Sequence, residues 1–155
     1  MSAAPNPLAP EFIWPVRVYY EDTDAGGVVY HANYIKFMER ARTEFLRQLG
    51  FELNVLEREQ RLVFAVRGLS IDYRRPARLN DWLEVSVGFE AVRSASLLFV
   101  QGVRCGGERL CDGRVRVAAL SADTFRPMAI PDFMLERLAA HDPARKPNTT
   151  GVVSR

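Results

Sequence analysis

The sequence predicts an α+β fold in which a five-stranded antiparallel sheet wraps around one long central helix. Three observations predict it: a strand-like alternation ahead of Glu21, a single apolar stripe at helical spacing after His31, and four strand-like segments between Leu62 and Leu120. A helix with a broad apolar face must bury it, and the sheet is the only large surface the chain supplies.

Met1 to Pro10 holds three prolines and little to bury, so residues 1–10 are expected to be a loose tail ahead of one domain spanning 11–140. Trp14, Val16, Val18 and Tyr20 alternate with Pro15, Arg17 and Tyr19, the period of a half-buried strand. Glu21 to Gly27 is a polar, glycine-bearing loop. The helix is expected to begin between His31 and Asn33. Tyr34, Met38, Ala41, Phe45 and Leu49 form its apolar stripe, widened by Phe37 and Leu46, with Lys36, Glu39, Arg40 and Arg47 largely off it. Gly50 suits the helix end, where a left-handed residue closes the last turn.

After a polar connection, Leu62 to Leu120 reads as an antiparallel meander. Leu69, Ile71 and Tyr73 alternate with Ser70 and Asp72, and Leu83, Val85, Val87 and Phe89 with Glu84, Ser86 and Gly88. Ala95 to Val103 is a more continuous apolar run suited to a central strand; Val115, Val117 and Ala119 alternate with Arg114 and Arg116. Pro76 to Asp81, Arg93-Ser94 and Gly106-Gly107 supply the turns. Phe133 to Leu138 reads as a short terminal helix, and residues 141–155 as a disordered tail. One helix cannot cover both ends and edges of such a sheet, so a homo-oligomer, dimer or tetramer, is expected.

The 155 residues suit one domain with a core that needs neither disulfide nor metal. With 48% hydrophobic and 26% charged residues the composition is that of a globular protein, and a net charge of +2 gives no argument for nucleic acid. No apolar run is long enough for a membrane span, and Met1 to Pro10 lacks the charge and apolar core of a secretory signal. A cytoplasmic location is expected. Cys105 and Cys111 flank Gly106-Gly107 and are read as reduced structural thiols, although a hairpin there would let them face each other. Without a secretory context, Asn148-Thr149-Thr150 is not read as a glycosylation site.

Chemistry concentrates in Tyr20-Glu21-Asp22-Thr23-Asp24-Ala25-Gly26-Gly27-Val28-Val29-Tyr30-His31-Ala32-Asn33-Tyr34. The segment joins a strand end to a helix start, where backbone N–H groups lack intrahelical partners and the helix dipole favours an oxyanion. Gly26 and Gly27 let the backbone turn tightly and approach a ligand. Asp24 sets a carboxylate near that positive end, the minimum equipment for ester or thioester hydrolysis, as nucleophile or as base for water. The competing reading is that Asp24 caps the helix and His31 is a satisfied histidine at its start. Asp24 and His31 make a poor metal pair, since His141 is the only other histidine, and no metal or other cofactor is expected.

The run Val16-Arg17-Val18-Tyr19-Tyr20-Glu21-Asp22-Thr23-Asp24-Ala25-Gly26-Gly27-Val28-Val29-Tyr30-His31, with Asn33-Tyr34 and Phe37-Met38-Glu39-Arg40-Ala41-Arg42-Thr43-Glu44, resembles the YbgC-type acyl-CoA thioesterases. These belong to the 4-hydroxybenzoyl-CoA thioesterase group of hotdog-fold proteins and are associated with the bacterial Tol-Pal envelope system. The similarity continues through Tyr73-Arg74-Arg75-Pro76-Ala77-Arg78-Leu79-Asn80-Asp81 to about Pro131. It implies a hotdog fold and hydrolysis of a short- to medium-chain acyl-CoA. It also implies Asp24 as the catalytic carboxylate and a His31 backbone N–H that binds the thioester carbonyl, with Tyr30 beside it shaping the acyl pocket. Gly27 is expected to let backbone approach the substrate.

The phosphates of CoA call for basic residues at the mouth of a narrow cleft, and Arg74, Arg75, Arg78 and Arg126 are candidates by position, with Arg78 foremost. Each also has an ordinary reading as a solvated surface charge. Two other functions remain open from sequence: a hotdog enoyl-CoA hydratase, against which the Gly26-Gly27 insertion argues, and a non-catalytic protein that binds acyl carrier protein or an envelope partner.

Overall fold

The computed structural model describes residues 12–144, so the expected 1–10 tail and all but the first residues of the 141–155 tail lie outside the described residues. Strand β1 (Phe12–Arg17) leads through a 3-10 turn (Tyr20–Asp22) to helix α1 (Asn33–Gln48) and helix α2 (Leu53–Gln60). Strands β2 (Leu62–Tyr73), β3 (Trp82–Val92), β4 (Ser96–Cys105) and β5 (Glu108–Ser121) follow, and α3 (Asp132–Ala139) is the last element among the described residues. The five strands form one antiparallel sheet in the order β1-β3-β4-β5-β2.

Helix α1 buries the expected stripe: Tyr34, Phe37, Met38, Ala41, Phe45 and Leu46 are all buried, while Lys36, Glu39, Arg40 and Arg47 are exposed. It lies against β3, β1 and β4, the arrangement that lets a sheet and a single long helix share one core. Phe45 meets Phe89 at 5.5 Å between ring centroids, and Phe89 meets Phe99 at 4.9 Å. Two polar groups sit inside this interface. Arg42 donates to Gln101 Oε1 at 3.0 Å, and Gln101 Nε2 donates to the Met38 carbonyl at 3.0 Å.

Several expectations change. The strands after α1 are not a simple meander: β3, β4 and β5 follow in order, but β2 pairs with the outer edge of β5 and not with β3. Both edges of β3 are taken, by β1 and β4, so β2 finds its partner on the free side of β5. The "polar connection" after Gly50 contains helix α2, whose apolar residues Leu53, Val55 and Leu56 crowd into its first half, too short a run for the spacing to mark a helix; only Leu56 is buried. Strand β1 stops at Arg17, and Tyr20, placed on its inner face by alternation, stands 81% exposed in the 3-10 turn. Cys105 and Cys111 are free and not opposite each other, since Val103 pairs with Cys111. His141, at the start of the expected tail, still sets its ring against Phe45 at 5.6 Å.

One end of the sheet gathers the segment singled out by sequence. The Val18 amide donates to Asp81 O and the Asn80 amide to Val18 O, both at 3.0 Å. The Val29 amide donates to Ala77 O at 2.9 Å, and the Ala77 amide to the Tyr34 hydroxyl at 2.9 Å. The loop before α1 is thereby bonded to the loop before β3.

Candidate active site

The loop is a small hairpin. Thr23 bridges Val29, the Asp24 amide donates to Val28 O at 2.9 Å, and the Gly27 amide closes the turn on Asp24 O at 3.0 Å. Gly27 has φ +78, a conformation that a side chain at this position would strain. Asp24 Oδ1 accepts the Gly26 amide at 2.8 Å, so one carboxylate oxygen is held by its own turn. Asp24 is exposed, and its Oδ2 accepts no hydrogen bond among the described residues. It does not cap α1: the N-cap position is Ala32, with no side-chain cap.

Asp22, two residues earlier, ties this hairpin to the helix. Only 7% exposed, it accepts the Tyr19 amide on Oδ2 at 2.8 Å and the buried Asn33 side-chain amide on Oδ1 at 2.9 Å. The Tyr30 amide donates to Asp22 O at 2.9 Å. Asn33 is the first residue of α1, so the carboxylate fixes the loop directly to the helix start.

His31 is exposed, its ring 4.5 Å from Tyr30 and 6.4 Å from Tyr73. Its carbonyl accepts the Tyr73 hydroxyl at 2.7 Å. The amides of His31 and Ala32 donate to no group among the described residues, as expected of the first turn of a helix. Beneath them lies Tyr34, 3% exposed, its ring 5.5 Å from that of Tyr73. Burial raises the Tyr34 phenol above its usual pKa, and the negative charge of Asp24 is among the weaker influences in the same direction. The site thus joins an exposed carboxylate, two unengaged amides at a helix N-terminus and an aromatic wall of Tyr30, His31, Tyr34 and Tyr73.

The four arginines separate. Arg78 is nearest the hairpin: its backbone bridges Val28, and its amide donates to Asp81 Oδ2 at 2.9 Å. Arg74 and Arg75 follow β2 at the same end of the sheet, but each is met by a carboxylate: Arg74 Nε lies 2.7 Å from Asp112, and an Arg75 Nη lies 2.7 Å from Glu108. Arg126 does not join them within one chain. Its carbonyl accepts the Ser121 amide at the far end of β5, whereas Arg74 and Arg75 donate to Leu110 O near the start. That length of strand spans about 35 Å. Its place just past the last strand made it look close, because position in sequence does not say at which end of the sheet a strand finishes. Among the described residues no group of three His, Cys, Asp or Glu side chains is placed to hold a metal ion.

Asp22, Asn33 and Tyr73 were not singled out by sequence. Asp22 carried a faint signal as the other acid of the Asp22-Thr23-Asp24 run; Tyr73, 42 residues from His31, stood in the strand alternation and at the head of the family-like stretch to Asp81, and neither gave it a role in the site.

The model of the thioesterase-like superfamily matches residues 18–138. The chain is 48% identical to the acyl-CoA thioesterase YbgC of Haemophilus influenzae, over 77% of this chain and 88% of that protein. It is 47% identical to the acyl-CoA thioester hydrolase YbgC of Escherichia coli O157:H7, over 77% of this chain and 90% of that protein. Among solved structures, a probable thioesterase from Bartonella henselae superposes with a TM-score of 0.75 at 33% identity, covering 79% of this chain and all of that one.

Proposed function

The chain belongs to the thioesterase-like superfamily, with its hotdog fold, and we propose that it hydrolyses acyl-CoA thioesters with Asp24 as the reacting carboxylate and the start of α1 as the oxyanion site. The observation that carries the reading is the pairing, on one loop pinned by Asp22 and Asn33, of an exposed carboxylate with the unengaged His31 and Ala32 amides.

In this reading the thioester carbonyl oxygen settles against those amides, which stabilise the negative charge that grows on it as the carbonyl carbon is attacked. The free Asp24 oxygen then has two courses. It attacks the carbonyl carbon, forming an acyl anhydride as the C–S bond breaks and CoA leaves as thiolate, and water later cleaves the anhydride. Alternatively it takes a proton from a water that attacks the same carbon; the C–S bond then breaks and the proton passes to the departing CoA thiolate. Either course ends in free acid and CoA. The hydrogen bond from the Gly26 amide orients the carboxylate for both.

A short- to medium-chain acyl group is the proposed substrate. Arg78 is the first choice for the CoA phosphates, because it borders the hairpin. Arg74 and Arg75 would have to exchange Asp112 and Glu108 for a phosphate, and Arg126 is placed to serve only a neighbouring subunit. A homo-oligomer fits the edge of β2 that pairs with no strand among the described residues, where Val66, Leu69 and Tyr73 stand 55%, 42% and 48% exposed. A cytoplasmic location is proposed with it.

The test is free-thiol release over a panel of acyl-CoA esters, with wild type and Asp24→Asn side by side. The variant is expected to fold and to lose two to four orders of magnitude, roughly, in turnover. Wild-type turnover by Asp24→Asn on every accepted substrate would remove Asp24 from the mechanism.

A further inference from the structure

Two successive peptide groups at the start of α1 are held by different means. In a trans peptide the C=O and the following N–H point in opposite directions, so anchoring the oxygen aims the hydrogen. The Tyr30 carbonyl accepts the Asn33 amide at 2.8 Å, which sets the Tyr30–His31 peptide and aims the His31 N–H. That restraint is local, part of the helix's own first turn. The next peptide has no such restraint. The Ile35 amide donates to Ala32 O at 3.2 Å, and the His31 carbonyl instead accepts the Tyr73 hydroxyl at 2.7 Å from the end of β2.

We propose that Tyr73 is a positioning residue for thioester hydrolysis: its hydroxyl fixes the His31–Ala32 peptide so that the Ala32 N–H serves as a second oxyanion donor beside that of His31. The inference rests on the thioesterase reading and adds to it a second donor and the side chain that aims it. The Tyr73 ring is braced for the task, 5.5 Å from the Tyr34 ring and 6.4 Å from that of His31, both edge-on. Tyr34 is buried and bonded in turn to the Ala77 amide, so the brace runs from the β2–β3 connection into the helix start. A phenol is an O–H donor at neutral pH, and desolvation raises that of Tyr73 further above its usual pKa.

Tyr73→Phe removes the hydroxyl and keeps the ring. With a donor loosened but not lost, kcat is expected to fall about tenfold, below the hundredfold or more typical of deleting an oxyanion donor, while KM stays within about twofold. A second measurement reads the donor itself: the infrared stretch of a ¹³C-labelled ketone analogue of acyl-CoA, which binds but is not cleaved. Wild type should shift the carbonyl to lower frequency, and Tyr73→Phe should lose part of that shift at equal occupancy. Unchanged kcat with an unchanged carbonyl shift would overturn the proposal, and so would a loss confined to KM. Wild type inactive toward every acyl-CoA would instead refute the thioesterase reading, so the two failures are told apart.

Discussion

Replacing Gln101 by Leu probes the least hydrophobic part of the core. Arg42 is 8% exposed on the sheet side of α1, its guanidinium 5.8 Å from the Phe99 ring centre, and its hydrogen-bond partner is a neutral amide, not a carboxylate. Desolvation lowers the pKa of the guanidinium from its usual value, with Glu39 opposing. Gln101→Leu deletes the acceptor at 3.0 Å and strands a buried cation. A hydrogen bond to a charged group contributes about 1.5–3 kcal/mol. The better packing of Leu offsets only part of this, so a net loss of about 2 kcal/mol is expected, or a fall in Tm of roughly 6 °C for a domain of this size. Arg42→Met in the Gln101→Leu background removes the stranded charge and should recover about 1–2 kcal/mol as a coupling term in a double-mutant cycle. Urea denaturation with a common m-value is the assay. A Gln101→Leu protein within about 0.5 kcal/mol of wild type, or a double variant that loses the plain sum of the two single losses, would refute the reasoning.

Asp22→Ala removes acceptors from the Tyr19 amide and from Asn33 Nδ2 in a buried setting, so a loss of about 2 kcal/mol by denaturation is expected, together with a fall in kcat as the loop comes free of α1. Wild-type kcat in the folded variant would dissociate the tether from the chemistry. Burial pushes the Cys111 thiol from 9.0 up to about 12. Between those pH values the unfolded chain releases a proton that the folded chain keeps, so stability falls as pH rises, by at most about 1.4 kcal/mol per pH unit from this group. Cys111→Ala should flatten that alkaline slope in denaturation curves taken from pH 8 to pH 11, and equal slopes would contradict the assignment.

Which parts of the molecule the sequence disclosed follows from the range of the interactions involved. The α1 stripe from Tyr34 to Leu49 was legible because helical periodicity is a local property, and the side chains it marked inward are buried or half-buried. The Gly106-Gly107 turn was legible for the same reason, both residues taking positive φ between β4 and β5. Helix α2 was not, because its apolar residues, Leu53, Val55 and Leu56, crowd into the first half of an eight-residue segment, too short a run for spacing to tell a helix from a loop. The segment holding Asp24, Gly27, Tyr30 and His31 stood out by the density of unusual residues on a strand-to-helix connection.

Sequence by itself determined the α+β class, the inward face of α1, the family resemblance and the stretch on which the proposed site is built. Only the tertiary structure decided that β2 lies beyond β5, that Arg126 finishes at the far end of the sheet, and that Tyr73 reaches the His31 carbonyl. The division has a physical cause. Which face a residue takes is set by neighbours two to four positions away, whereas strand order and cross-chain hydrogen bonds are set by the competition of whole elements for one core and for each other's open edges.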